Sequence, residues 1–192
     1  CDFMDYMAVM GLNMLLLYIE DVYELPGRKY FGYMRGRYTA DELREIDDYG
    51  FDYGIELVPC MQTLGHLEKY LHWSEAKDVR EAAGGRELNV DKPETYKFIE
   101  AEIDAMRNCF TSKRIHIGMD EAHMICRGKY YDLHGDCDRT KILVDHIIRV
   151  SQIGKKYGFT LAMWSDMFFR EGTNGRYIYP EGEFTEEFKK SL

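Results

Sequence analysis

What the sequence lacks excludes several classes of protein. The 192-residue chain has 25 basic and 34 acidic residues and no basic stripe, and phosphate binding requires clustered lysine and arginine. Its longest apolar run, Met14 to Ile19, is long enough for a strand and far shorter than a membrane span. No glycine-rich phosphate-binding turn follows any apolar run, which disfavours a nucleotide-binding fold. We therefore expect neither a nucleic-acid partner nor a membrane partner.

Cysteine usage also lacks the pattern of a disulfide framework. The five cysteines are odd in number and unevenly spaced: Cys1, Cys60, Cys109, Cys126 and Cys137. Free thiols are typical of a reducing compartment, so we expect a cytoplasmic location. No basic stretch followed by an apolar segment marks a signal peptide, although the absence of a starting methionine suggests that the true N-terminus is missing. A zinc site at Cys126, His134 and Cys137 is disfavoured by their spacing, and no metal or cofactor is predicted.

Helices and strands are predicted to alternate along the chain. Apolar residues at helical spacing predict helices over 2–10, 39–50, 93–110 and 139–157, the second opened by a Thr-Ala-Asp-Glu capping box. Apolar runs predict strands over 12–19, 53–59, 115–117 and 159–164, the first buried on both faces. Residues 124–138 are predicted to form a loop, and a further helix is predicted from Thr185. This alternation is typical of βαβ units and a parallel sheet.

Polar side chains follow each predicted strand. These strand tips are Glu20-Asp21, Gln62 with His66, Asp120-Glu121, and Ser165-Asp166. In a (β/α)8 TIM barrel the carboxyl ends of all strands meet at one mouth, so the four tips are expected to converge there. A complete barrel needs roughly 250 residues, so four strands with flanking helices predict a partial barrel of the α/β class.

Adjacent carboxylates at Asp120 and Glu121 are the strongest candidates for chemistry. Most acid pairs lie on solvated faces or in first turns of helices, but this pair follows a short apolar strand that ends at Gly118. It is followed by Ala-His-Met-Ile-Cys rather than by a run of Lys and Glu. Two neighbouring acids in different environments can divide the work, since one stays ionised while the other keeps a proton to donate.

Three segments resemble those of a known family. His116-Ile117-Gly118-Met119-Asp120-Glu121 is similar to the His-x-Gly-Gly-Asp-Glu signature of glycoside hydrolase family 20, the β-N-acetylhexosaminidases. Pro59 to His66 resembles its Pro-Glu-x-Asp-x-Pro-Gly-His segment, and Tyr18 to Asp21 falls where the family has an acidic tip. This chain departs from the pattern at Met119, which replaces a glycine, and at Cys60 and Gln62, which replace acids.

The resemblance also implies which parts of the domain are present. The three segments fit strands two, three and four of the family's barrel. The family's strand-one arginine, and its tyrosine and aspartate on a later strand, have no counterpart in this sequence. Residues 1–192 are therefore expected to be part of one barrel domain that lacks the first strand and the last strands.

The resemblance implies a mechanism as well as a fold. Terminal N-acetyl-glucosamine or -galactosamine β-glycosides would be hydrolysed from the chain end, with retention of configuration and with the substrate's own acetamido group as nucleophile. Glu121 would act as general acid and base, while Asp120 would orient the acetamido group. Asp21 and His66 are expected to form a supporting chain with Glu121.

Three further residues are expected to contact the sugar: Trp164, Asp166 and His123. Simpler alternatives stay open for three of the predicted site residues: Trp164 and His123 are also compatible with packing, and His66 with a helix-capping role at the surface. His116 is expected to be a hydrogen-bonded strand histidine.

Two other functions stay open. In a metal-dependent barrel isomerase or lyase, Asp120, Glu121, His123 and His66 would bind a divalent cation. In a non-catalytic barrel fragment, amino sugars would bind without being cleaved. Because half of the expected pocket is absent, the isolated chain is predicted to be a poor catalyst.

Overall fold

A parallel sheet of four strands lies at the centre of the computed structural model, which describes residues 1–168. The strands are β1 (Met14–Glu20), β2 (Glu56–Met61), β3 (Arg114–His116) and β4 (Thr160–Ala162). They pair in chain order, each parallel to the next. A doubly wound sheet would reverse strand order at a switch point, whereas consecutive order is that of a (β/α)8 barrel. The predicted partial barrel is confirmed.

Helices connect the strands as predicted, with two additions. Residues 1–168 contain α1 (Asp2–Val9), α2 (Ala40–Asp52), α3 (Glu68–Leu71), α4 (Pro93–Cys109), α5 (Lys129–His134) and α6 (Arg139–Lys156). The capping box of α2 is confirmed: the Thr39 hydroxyl accepts a hydrogen bond from Glu42 N, and the Glu42 carboxylate accepts one from Thr39 N. None of these helices is long and apolar enough to cross a membrane.

The loop predicted over 124–138 was wrong in part, because α5 lies within it. Its first turn is held by Glu81, a buried residue whose carboxylate accepts hydrogen bonds from Gly128 N (2.9 Å) and Tyr130 N (3.1 Å). An anionic acceptor at the start of a helix supplies partners for its free N–H groups. This contact spans almost fifty residues, so local sequence carries no sign of it. The helix predicted from Thr185 lies outside the described residues.

An aromatic cluster anchors the two long loops that approach the carboxyl edge of the sheet. Three aromatic rings are almost completely buried together: Phe31 from the loop after β1, Tyr70 from the long segment 67–86 after β2, and Phe98 of α4. Tyr70 and Phe98 stack with ring centroids 5.4 Å apart, and Phe31 meets Tyr70 edge-on at 5.1 Å. Burying each ring stabilises the fold by about 1.5–3 kcal/mol. These loops are therefore fixed, and so are the side chains they carry.

Strand β1 was predicted to be buried on both faces, and this was wrong. Met14, Leu16 and Tyr18 are 46%, 38% and 50% exposed, whereas Ile19 on the opposite face is buried. Alternate residues of a strand point to opposite faces. Only the face turned toward the helices is therefore covered, and the face that would line the inside of a barrel is open.

A buried histidine ties α6 to the loop after β2. Nδ1 of His146 lies 3.0 Å from the Tyr96 hydroxyl, and Nε2 lies 3.0 Å from the Thr63 carbonyl oxygen. The Thr63 carbonyl can only accept, so Nε2 of His146 carries the proton, and the Tyr96 hydroxyl lies between two acceptors, Nδ1 and the Val90 carbonyl oxygen (3.1 Å). Burial lowers the pKa of His146 to about 4. The folded chain therefore holds this imidazole in its neutral form.

This histidine predicts an acid-dependent loss of stability. Between pH 6.5 and 4 the unfolded chain binds a proton at His146 that the folded chain does not, so stability falls as pH falls, by about 3 kcal/mol in total. Urea unfolding of wild type and His146→Gln at pH 7 and pH 4.5 should show a smaller drop for the variant. The control His134→Gln alters a half-exposed histidine and should keep the wild-type drop. Equal drops in His146→Gln and wild type would contradict this assignment.

Candidate active site

Backbone strain is concentrated at the carboxyl edge of the sheet. Six non-glycine residues within 1–168 have positive φ, and four of them lie at or beyond the carboxyl ends of strands: Glu20 (43°), His66 (56°), Met119 (75°) and Glu121 (48°). L-residues adopt this conformation at a cost of about 1–3 kcal/mol, and it persists where the surrounding structure enforces it. Such residues cluster at functional sites, so this edge is the candidate site.

His66 lies beside both predicted catalytic carboxylates. Its Nε2 is 3.1 Å from Asp120 Oδ2 and 3.6 Å from Glu121 Oε2. Gly65 allows this approach, because a Cβ at that position would lie 2.7 Å from the Asp120 carbonyl oxygen. The tips of β2 and β3 therefore meet, as the sequence predicted.

Gln62 is a second neighbour of Asp120, and it was not among the predicted site residues. Its buried amide donates from Nε2 to Asp120 Oδ1 (2.9 Å) and accepts at Oε1 from Met119 N (3.2 Å). Both Asp120 oxygens thus have a fixed neighbour, His66 on one and Gln62 on the other. Two features of the sequence could have identified Gln62 as a site residue: its position at a strand tip, and its place in the Pro59–His66 segment, where glycoside hydrolase family 20 has an acid.

Gly118 makes room for the Gln62 amide and gives a stability prediction. Its φ is +69°, and a Cβ would lie 2.2 Å from Gln62 Oε1. Gly118→Ala should therefore be destabilised by the strained φ and by the collision, the latter costing about 1–3 kcal/mol. Gly54→Ala is the matched control, because Gly54 has the same φ and nothing within 4 Å of its Cβ position. Equal losses in urea unfolding for the two variants would contradict the proposed collision.

Arg86 was missed by the sequence analysis. Its Nη2 lies 2.5 Å from His66 Nδ1 and 3.4 Å from Glu121 Oε2. Nη2 also lies 3.0 Å from His66 Nε2. Because the Asp120 carboxylate can only accept and a guanidinium can only donate, Nε2 carries the proton that faces Asp120 and Nδ1 accepts from Arg86. Arg86 lies at the end of the long segment 67–86 that follows β2. A backbone hydrogen bond from Leu67 N to the Arg86 carbonyl (3.1 Å) holds the two ends of this segment together and places Arg86 beside His66. No sequence motif marks this pairing.

Glu121 is held through its backbone and leaves its carboxylate accessible. Glu121 N donates to Asp166 Oδ2 (3.0 Å), so Asp166 directly contacts the segment that carries both carboxylates. The Glu121 side chain is 46% exposed, against 24% for Asp120. The two adjacent acids therefore lie in different environments: Asp120 has a neighbour at each oxygen, whereas Glu121 is more exposed and meets Arg86 and His66 at Oε2 alone.

The predicted chain from Asp21 through His66 to Glu121 was wrong at its first link. Asp21 is buried and forms an ion pair with Arg35, which also contacts Glu20 (3.3 Å). Within residues 1–168 no hydrogen bond or ion pair joins Asp21 to His66. A buried carboxylate is compensated better by a fixed guanidinium charge than by a neutral imidazole. Even so, burial raises the pKa of Asp21 to about 6.

Trp164 presents an exposed ring at the same edge. It is 43% exposed, and its ring centroid lies 4.5 Å from that of His116. His116 is itself buried, with Nδ1 accepting from Gly118 N (3.1 Å) and lying 3.3 Å from Cys60 Sγ. Burial lowers the pKa of His116 and raises that of the Cys60 thiol to about 12, so both are neutral near pH 7. His116 is thus the hydrogen-bonded strand histidine that was expected.

His123 is tied to the site through its backbone, with its N donating to the Glu121 carbonyl (2.8 Å) and its carbonyl accepting from Arg139 (3.0 Å).

The four residues of the metal hypothesis do not form a ligand set: across residues 1–168 no group of three or more His, Cys, Asp or Glu side chains is arranged to hold a metal ion.

Comparisons with known proteins agree with this architecture. Bovine (Bos taurus) hexosaminidase D is 27% identical over 165 residues, which cover 82% of this chain and 48% of that protein. The β-N-acetylhexosaminidase of Bacteroides fragilis superposes with a TM-score of 0.72 at 22% identity, covering 93% of this chain and 39% of that one. A mutant Streptomyces plicatus β-hexosaminidase, solved with its product GlcNAc, has a TM-score of 0.70 at 23% identity, covering 85% of this chain and 35% of that one.

The chain therefore spans about half the length of the bovine relative and little more than a third of these solved chains. A sequence profile described as "Glycosyl hydrolase family 20, catalytic domain" matches residues 22–179, which is most of the chain. The chain belongs to glycosyl hydrolase family 20.

Proposed function

We propose that this chain carries the acid and base machinery of an exo-acting β-N-acetylhexosaminidase that uses substrate-assisted, retaining catalysis. The observation that carries the proposal is the unequal setting of Asp120 and Glu121. Each oxygen of Asp120 faces a donor, Gln62 Nε2 at 2.9 Å and His66 Nε2 at 3.1 Å. The Glu121 side chain is more exposed, on a backbone held by Asp166, and its Oε2 lies near Arg86 and His66. One acid is held in one orientation from both sides, and the other keeps an accessible oxygen for the departing group.

This arrangement fits each step of the reaction. Asp120 accepts a hydrogen bond from the acetamido N–H of the terminal sugar, which turns the acetamido carbonyl oxygen toward the anomeric carbon. That oxygen forms a bond to the anomeric carbon as the glycosidic bond breaks, and Glu121 gives its proton to the departing oxygen. The cyclic oxazolinium carries a positive charge that the Asp120 carboxylate offsets. Glu121 then takes a proton from a water molecule. The water oxygen attacks the anomeric carbon from the face that the leaving group left, and the oxazolinium ring opens.

Three side chains complete the proposed sugar site. The exposed face of Trp164 offers an apolar surface for a sugar ring, and Asp166 and His123 border the segment that carries Glu121. The carbohydrate partner is proposed to be a glycan with a terminal N-acetyl-glucosamine or -galactosamine. A cytoplasmic location is proposed from the five free thiols alone.

The open inner face of the sheet supports the domain prediction. Met14, Leu16 and Tyr18 on β1 and Trp164 after β4 are exposed at the two edge strands of a sheet that, in a barrel, closes on itself. We therefore propose that residues 1–192 belong to one barrel whose first and last strands lie in other parts of the polypeptide. On this proposal the isolated chain is a poor catalyst, since the pocket has only part of its wall.

Hydrolysis of 4-methylumbelliferyl N-acetyl-β-glucosaminide and -galactosaminide tests the proposal. A polypeptide with the complete barrel should cleave at least one of them, should be inhibited by an N-acetylglucosamine-derived thiazoline, and should be insensitive to EDTA. Loss of turnover in EDTA would instead favour the metal-dependent alternative. Thiazoline binding without turnover would favour a non-catalytic amino-sugar-binding barrel.

A further inference from the structure

We propose that Gln62 is the residue that positions Asp120, acting as a neutral donor that holds the carboxylate in its working orientation. This inference rests on the proposed function and deepens it. Gln62 is fully buried, so it would act on the sugar through Asp120 and not by direct contact. It is therefore a positioning residue.

The orientation of the Gln62 amide is fixed by its neighbours. Met119 N can only donate, and it lies 3.2 Å from Oε1, so this atom of the amide must be the oxygen. The amide nitrogen then faces Asp120 Oδ1 at 2.9 Å and the Tyr18 hydroxyl at 3.3 Å. Both N–H groups and the carbonyl oxygen are thus used. A fully buried, fully satisfied amide has one orientation available, and it imposes that orientation on Asp120.

Charge explains why an amide suits this position. The titratable groups around Asp120 are Glu121, His66, His116, the Cys60 thiol and the Tyr18 hydroxyl. Burial raises the pKa of Cys60 to about 12 and also raises that of Tyr18, so neither adds negative charge near pH 7. A carboxylate in place of Gln62 would bring two like charges within hydrogen-bond distance, which raises the pKa of one of them and disfavours the doubly ionised pair at pH 7. Gln62 donates to Asp120 at every pH.

The loop geometry shows that this contact is built into the fold. Gly118 has φ +69° and leaves the space that Gln62 Oε1 fills, since a Cβ there would lie 2.2 Å from it. The backbone of β3 continues from Gly118 into Met119 and Asp120. The Gln62 amide therefore makes two hydrogen bonds to this segment, one to the Met119 backbone and one to the Asp120 side chain.

Two substitutions separate positioning from packing. Gln62→Glu keeps the shape and replaces the donor by a carboxyl group that can donate only when protonated. Gln62→Met keeps the approximate volume and removes the donor at every pH. The matched control is Gln152→Glu, which makes the same chemical change at an exposed position of α6.

Activity should be measured as kcat/KM for 4-methylumbelliferyl N-acetyl-β-glucosaminide, in a polypeptide with the complete barrel, at pH 5 and pH 7. At pH 7 both Gln62 variants should lose about 10- to 100-fold, as expected for one hydrogen bond to a charged group. For Gln62→Glu the ratio to wild type should rise several-fold at pH 5, whereas for Gln62→Met it should stay low. Gln152→Glu should match wild type throughout. A ratio for Gln62→Glu that does not change with pH, or full activity in Gln62→Met, would overturn the proposal.

A second measurement needs no activity. In urea unfolding of the 192-residue chain, Gln62→Glu should be destabilised more at pH 7 than at pH 5, relative to wild type, because the introduced carboxylate faces Asp120. Absence of turnover in wild type would count against the proposed function alone. An unfolding penalty that is equal at the two pH values would count against the role of Gln62, whatever the activity.

Discussion

Replacing Glu121 by glutamine should lower kcat/KM for a substrate with a poor leaving group by about 10²- to 10⁴-fold, the usual contribution of a general acid. The amide keeps the size of the side chain and its backbone tether to Asp166, but it cannot donate a proton to the departing oxygen. The effect is measured with N,N′-diacetylchitobiose, whose departing sugar hydroxyl needs a proton, in a polypeptide with the complete barrel.

Leaving-group dependence separates this role from a structural one. With a 2,4-dinitrophenyl glycoside the leaving group needs no proton, so Glu121→Gln should form the oxazolinium at close to the wild-type rate. Glu45→Gln, an exposed glutamate on α2, should leave both substrates unaffected. Equal losses on the two substrates in Glu121→Gln would show that this carboxylate does not protonate the leaving group.

Replacing Asp120 by asparagine should cost about 10²- to 10³-fold in kcat, a loss similar to that on removing one electrostatic contact to the transition state. Asparagine can still accept from Gln62 Nε2 at the same oxygen, so the fold is expected to be kept. What it lacks is the negative charge that offsets the oxazolinium and the strong acceptor for the acetamido N–H. The change therefore acts on the transition state more than on sugar binding.

Two affinities test that distinction for Asp120→Asn. The thiazoline resembles the oxazolinium, so its affinity should fall by a factor close to the loss in kcat. The affinity for N-acetylglucosamine, which carries no such charge, should change much less. Parallel losses of both affinities would mean that Asp120 contributes only to ground-state binding, and the substrate-assisted mechanism would then lack its charge partner.

Features set by local sequence could be predicted. The capping box at Thr39 and Glu42 depends on residues three positions apart, and the strands were visible as apolar runs. The meeting of His66 with Asp120 and Glu121 followed from parallel topology, which places the carboxyl ends of strands together.

Features set by long-range contacts could not be predicted. Arg35 neutralises Asp21 because the loop after β1 folds back over the strand tip, and Arg86 reaches His66 because the two ends of the long segment 67–86 are held together at Leu67. Neither arginine lies in a motif. The open face of β1 was missed for a different reason. An apolar run predicts a strand that packs on both faces, but it does not indicate which segment of the polypeptide covers each face.

Gln62 lies between these two cases. The sequence placed it at a strand tip and showed that it replaces an acid, but the donor it offers to Asp120 appears only once β2 and β3 are paired. The same substitution pattern leaves Cys60 beside His116, both neutral. The carboxyl edge of β2 therefore gives the site no negative charge, and Asp120 and Glu121 are its principal acids together with Asp166.

Proton NMR of the first-formed product tests the central claim most directly. A polypeptide with the complete barrel is mixed with a β-N-acetylglucosaminide, and the anomeric signals are followed before mutarotation. Attack by the acetamido oxygen followed by water inverts the centre twice, so the β-anomer of N-acetylglucosamine should appear first. Initial release of the α-anomer would contradict the assignment of Asp120 and Glu121.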